Sequence, residues 1–181
     1  MFARRQFIAG AGALGLMGAL IVSRAASDEA AGGVTAADKE KWALSEKEWR
    51  ARLTPDQFRV LRKEGTERPF TSPLNDEKRA GVYACAGCGL ELFTSDQKFD
   101  SGTGWPSFFD VIPGRIETKT DFKLVYPRTD YHCARCGGHQ GHVFKDGPAP
   151  TGLRYCNNGV ALSFRPTAGV ADEAAAEDAA S

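Results

Sequence analysis

The chain has 181 residues, enough for one domain with a real core and too few for two comfortable ones. Lys plus Arg and Asp plus Glu each number 23, so the formal net charge is zero and offers no global attraction to nucleic acid or anionic lipid. Hydrophobic residues make up 42% and aromatics 10%, as in ordinary globular proteins, while 20 Gly and 9 Pro point to the many turns of a β-rich fold.

The first segment reads as an address. "MFARRQF" supplies positive charge, "IAGAGALGLMGALIV" (Ile8–Val22) a weakly apolar run, and Ser23–Ala25 the small residues a signal peptidase reads. Residues 1–25 are thus expected to be a signal peptide, with a single-span anchor as the alternative; the run is short and Gly/Ala-rich for a membrane span. Arg4 and Arg5, followed by Phe7, resemble a bacterial twin-arginine signal, which exports proteins already folded. The mature protein is then expected in the bacterial periplasm, without stable membrane association. Residues 26–41 are small and charged without hydrophobic period, and read as a linker. Residues 167–181 are acidic and Ala-rich, and read as a disordered tail.

Two short helices come next. Ser45 with Glu48 makes one capping box; Thr54, Pro55 and Gln57 make a second, with Gly65 past the end. Phe58 and Leu61 share a helical face that suits core packing. After Gly65 the pattern turns to short alternations: "GVYAC", "LELFTS", "RIETKTD", "KLVYPR", "YHCARC", "GHVFKD", "LRYCNN" and "ALSFRP" read as strands. The expected fold is mainly β, antiparallel, with short N-terminal helices.

"CAGCG" (Cys85, Cys88) and "CARCG" (Cys133, Cys136) are twin knuckles whose four thiolates suit one tetrahedral structural zinc. Two disulfides are the alternative in an oxidising compartment, and a four-thiolate shell also accepts iron. A thioredoxin-like redox pair fits less well, because no βαβ pattern surrounds either knuckle. A zinc ribbon also raises the possibility of a binding module without catalysis, against which stands the lack of any Lys/Arg cluster near the knuckles.

Cys156 stands apart. On a strand, Arg154, Cys156 and Asn158 face one side, and a cation with an amide favours thiolate over thiol. Of three histidines, His139 and His142 in "GGHQGHVF" are candidates for acid–base or substrate-orienting work, and His132 for a supporting place beside Cys133. "FDSGTGWPSFFD" is an aromatic loop in which Gly104 and Pro106 hold Trp105 on a turn, a wall for an apolar or sulfur-bearing group, with Phe108 close by.

Together "GTERPFTSPLN", "CAGCG", "FDSGTGWPSF", "HCARCGGHQGHVFKDGPAPTGLRYCNN" and "ALSF" resemble methionine sulfoxide reductase B over nearly the whole stretch from Ser45 to Arg165. The resemblance implies a catalytic domain at 42–166, two antiparallel β-sheets, and a zinc held by Cys85, Cys88, Cys133 and Cys136. It implies reduction of the R epimer of methionine sulfoxide in proteins, through a sulfenic acid on Cys156. His139, His142 and Asn158 would then bind the sulfoxide oxygen, and Trp105 the methyl group with Phe108 and Arg154 also against the substrate. Asp146 would support them. Many members carry a resolving cysteine where this chain has Thr103. An external dithiol, from an exported thioredoxin-like protein, is therefore the expected reductant.

Overall fold

Three helices lead the residues that the computed structural model describes, 33–121 and 127–167. The expected signal peptide, part of the linker (26–32), most of "KLVYPR" and all but the first residue of the tail lie outside the described residues. Helix α1 (Ala36–Lys41) rises from within the segment expected to be a linker, started by Thr35, whose hydroxyl accepts from the Asp38 amide at 3.1 Å. It buries no residue, so no apolar stripe announces it in the sequence. Helices α2 (Glu46–Arg52) and α3 (Pro55–Lys63) begin at the Ser45/Glu48 and Thr54/Gln57 boxes. Phe58, Val60 and Leu61 are the buried face of α3. That helix ends on Glu64 in the left-handed region (φ 52°), and the Gly65 amide closes the turn on the Arg59 carbonyl at 3.0 Å.

Nine strands follow among the described residues: β1 Gly81–Cys85, β2 Glu91–Thr94, β3 Lys98–Phe99, β4 Ser107–Phe108, β5 Ile116–Asp121, β6 Arg128–Cys133, β7 His139–Phe144, β8 Arg154–Asn157 and β9 Leu162–Pro166. They form two antiparallel sheets, one in the order β2-β1-β9 and one in the order β3-β4-β8-β7-β6-β5. The expected fold class is the observed one. Strand β4 lies within the stretch expected to be a loop (Phe99–Asp110) and β3 overlaps its start; two residues each are too few to show an alternation.

The core is aromatic. Phe93 stacks on Phe108 at 4.0 Å between ring centroids, and Tyr83, Tyr131 and Tyr155 meet this pair edge-on or tilted. Each such burial contributes roughly 1.5–3 kcal/mol. Tyr131 also satisfies its hydroxyl by donating to Asn157 Oδ1 at 2.6 Å.

Register decides what the other face of the larger sheet carries. Residues directly opposite across a pair share a face. Ser107 opposes Cys156, Cys156 opposes His142, His142 opposes Asp130, and Asp130 opposes Lys119. The neighbouring positions Phe108, Tyr155 and Tyr131 point the opposite way, into the aromatic core. One face of this sheet is thus core, and the other carries Cys156, His142 and Asp130. Among the described residues no helix is long and apolar enough to cross a membrane.

Candidate active site and metal centre

Each knuckle is a turn closed from the trailing glycine. The Gly89 amide donates to the Cys85 carbonyl and the Gly137 amide to the Cys133 carbonyl, with φ of 74° and 66° that only glycine adopts easily. Both cysteines of a knuckle then face one point. Sγ of Cys85 lies 3.7 Å from Cys136 and Sγ of Cys88 lies 3.5 Å from Cys133, and all four sulfurs fall within 4.8 Å of one another. A disulfide needs about 2.05 Å, whereas sulfurs about 2.3 Å from a tetrahedral ion sit roughly 3.8 Å apart. All five cysteines are free thiols, and these four could hold a metal ion. Gln140 donates to Cys85 Sγ at 3.3 Å. The cluster ties β1 of the smaller sheet to β6 of the larger.

Cys156 occupies the middle of β8, between β4 and β7, half-buried at the floor of a cavity of about 120 Å³. Trp105, His142, Phe144, Arg128, Asn158 and Thr66 are among its walls. Burial pushes the Cys156 thiol up from its ordinary value; the Arg154 charge, with hydrogen bonding from Thr103 and Arg154, pulls the other way without overcoming it. The expectation that Arg154 would favour thiolate holds for the direction of that one influence. Arg154 is itself 8% exposed, paired bidentately with Asp146 at 2.9 and 2.8 Å and stacked over Phe144 at 4.4 Å. Asp146 therefore holds the guanidinium in place and also offsets part of its charge.

A bulge brings the histidines together. Three residues apart on a regular strand, His139 and His142 would face opposite sides. The register between β6 and β7 skips Gln140, so His132 opposes His139 while Asp130 opposes His142. Both imidazoles end on one face, 5.6 Å apart between centroids. Burial lowers the His142 pKa; a contact of 3.1 Å between Nε2 and Asp121 Oδ2 opposes that shift, and the nearby Arg128 adds to it. Asp121 is also bound by Arg128 at 2.7 Å. The carboxylate can only accept, so it fixes the proton of His142 on Nε2.

His139 does not line the Cys156 cavity. It is 1% exposed, with Nδ1 2.7 Å from Asp130 Oδ1, and its ring meets that of the cavity-lining His142. Burial would raise the Asp130 carboxyl, but His139, His132 and His142 together hold it below the usual range. Asp130, His132 and His139 bring their ligand atoms within 4.8 Å of one another, and Lys119, 3.8 Å from Asp130 Oδ2, already supplies a cation there.

Asn158 lines the cavity, but both ends of its amide are engaged. Oδ1 accepts from the Glu67 amide at 3.0 Å and Nδ2 donates to the Gln140 carbonyl at 2.9 Å. Phe108 is placed differently from expectation. It is fully buried against Phe93 and offers nothing to a substrate, because it alternates with Ser107 across β4 and Ser107 takes the site face. Trp105 does form a wall, pinned by donation from Nε1 to the Glu67 carbonyl at 3.2 Å. Glu67 is a residue that sequence reasoning passed over. It is 6% exposed, and its carboxylate accepts from the Gly159 and Val160 amides while its backbone holds Asn158 and Trp105.

A mainly β fold with one half-buried cysteine beside an oriented imidazole, and four more cysteines gathered where they could hold a metal ion, is the arrangement of the class of protein that comparison with known proteins identifies. Residues 53–166 match the SelR domain family. The chain is 58% identical over 122 residues to a peptide methionine sulfoxide reductase MsrB of Methanosarcina barkeri, covering 67% of this chain and 86% of the relative. It is 56% identical over 126 residues to the protein of that name from Leifsonia xyli (68% and 91%), and 56% over 125 to that of Pseudomonas putida (67% and 92%). Among solved structures the Mis18 "Yippee-like" domain matches at a TM-score of 0.39 and 15% identity, over 49% of this chain and 98% of that one, too distant to speak for the fold. The chain belongs to the MsrB family of peptide methionine sulfoxide reductases.

Proposed function

We propose that the chain reduces the R epimer of methionine sulfoxide in proteins to methionine, with Cys156 as nucleophile and an external dithiol as reductant. The observation that carries this reading is the pairing of Cys156 with His142 across β7 and β8, inside a cavity walled by Trp105. The methyl group of the sulfoxide packs against the Trp105 indole, and its oxygen faces His142. The Cys156 sulfur attacks the sulfoxide sulfur, the proton lost by the thiol reaches the oxygen by way of His142, and the sulfur–oxygen bond breaks. The oxygen then bonds to the Cys156 sulfur as the transient sulfur–sulfur bond breaks, so methionine leaves with that electron pair and Cys156 becomes a sulfenic acid. One external thiol displaces it as water, forming a mixed disulfide, and the second thiol of the dithiol releases Cys156.

Thr103 stands near Cys156, where its hydroxyl bears on the thiol, but an oxygen cannot form a disulfide. The knuckle cysteines are buried, Cys85 and Cys133 completely, which supports resolution from outside. Their spacing fits zinc, which in a four-sulfur shell has no open position and supplies structure without redox chemistry. Export by the Arg4–Arg5 signal to the periplasm, and a thioredoxin-like donor there, complete the reading.

The test is a single turnover with one equivalent of R-sulfoxide peptide and no reductant. The expected products are one methionine and one Cys156 sulfenic acid, trapped by a carbon nucleophile and located by mass spectrometry, with the metal retained. An internal disulfide to a knuckle cysteine, with metal release, would overturn resolution by an external thiol.

A further inference from the structure

Phe70 is the one exposed large hydrophobic side chain among the described residues, at 73%. It is also held in the left-handed region, with φ of 61°, where a bulky residue is rarely found. What holds it is the loop that carries Trp105. The Phe70 amide donates to the Gly104 carbonyl at 2.7 Å, and Asn75 Nδ2 donates to the same oxygen at 3.1 Å. The Phe70 ring lies across Gly104 so closely that a Cβ there would come within 2.7 Å of ring Cδ2. An exposed phenyl ring in this position is braced, not loose, and strain of this kind tends to persist where a surface has work to do.

The ring overhangs a depression of about 180 Å³, lined also by Phe99, Pro106 and Trp105. Trp105 is a wall of the Cys156 cavity as well. The two hollows therefore share the Trp105 side chain as a lining residue. Lys78 and Lys98 on the rim are balanced by Asp76 and Asp100, so the rim selects neither charge.

We propose that the Phe70 depression receives an apolar or aromatic side chain one or two positions from the oxidised methionine in the substrate polypeptide, making Phe70 a residue that sets sequence preference. The occupant is the substrate itself because Trp105 lines both this hollow and the reaction cavity, and successive residues of an extended chain are spaced only about 3.3 Å apart. The proposal rests on the methionine sulfoxide reductase reading above.

The experiment compares kcat/KM for three substrates with the full chain: R-methionine sulfoxide capped at both ends, a peptide with Phe beside the sulfoxide, and the same peptide with Ser in that place. Wild type is expected to favour the Phe peptide over the Ser peptide by about fivefold. The Phe70→Gly variant keeps the backbone conformation and removes the ring, and should reduce that ratio to about one. Phe70→Leu should keep a ratio of about two or more. No preference in wild type, or a preference untouched in Phe70→Gly, would overturn the proposal. Failure to turn over even the capped substrate would count instead against the function itself.

Discussion

Burial shifts Cys156 and His142 in opposite directions, the thiol above its ordinary 9.0 and the imidazole below its ordinary 6.5. The proposed reaction calls for thiolate and imidazolium together. Between the two pKa values the thiolate fraction rises tenfold per pH unit while the imidazolium fraction falls tenfold, so their product is constant. The single-turnover rate is therefore expected to be flat across the whole of pH 6.5 to 9, and to fall only beyond the shifted values of the two groups. In His142→Asn the falling factor disappears, so the rate should climb with pH across the same window. A flat profile in that variant would assign the proton to another group. The groups that set the His142 shift were not legible in the sequence. Asp121, Arg128 and Asp130 come from β5 and β6, 12 to 21 residues before His142, and no spacing within "GGHQGHVF" points to them. Cys156 was legible, because its own strand neighbours already set it apart from the knuckle cysteines.

At the level of elements, the close approach of β7 to β8 depends on Gly141. A Cβ there would lie 1.9 Å from the Cys156 carbonyl oxygen. Gly141→Ala should lower stability by about 1–3 kcal/mol and disturb Cys156 directly, a loss that urea unfolding alongside activity would measure. Glu67 offers a second test. In Glu67→Ala the Gly159 and Val160 amides lose their acceptor in a buried place, at about 1–3 kcal/mol, whereas Glu67→Gln should recover part of it through its remaining oxygen. Equal stability in all three proteins would remove Glu67 from the framework. The caps of α2 and α3 and most of the longer strands could be read from the chain, since capping boxes and period-two alternation are local. Helix α1 buries nothing and β4 is two residues long, so neither leaves a period to read. That shortness also explains Phe108: without a visible strand there was no parity to separate it from Ser107. The bulge at Gln140, which puts two histidines on one face, is a property of pairing with β6 and has no mark of its own in the sequence.

Across the molecule, the four-cysteine cluster joins the two sheets at the end of β1 and the end of β6, while α3 covers it, with Arg62 donating to the Cys136 carbonyl at 2.8 Å. Binding there is expected to be folding free energy for the whole domain. Stripping the ion with a chelator should lower the thermal midpoint steeply, and one equivalent of zinc should restore it together with activity. An unchanged midpoint after complete removal would mean that the aromatic core alone sustains the fold. Family membership extends over residues 53–166, which takes in both the cluster and the Cys156 cavity. The measurement that bears most directly on the central claim supplies the purified protein and a dithiol with each sulfoxide epimer of a methionyl peptide separately. The account predicts that only the R epimer is consumed, that Cys156→Ser abolishes this, and that Thr103→Ala retains it within several-fold. Turnover of neither epimer by folded, metal-bound protein, or activity surviving in Cys156→Ser, would contradict it.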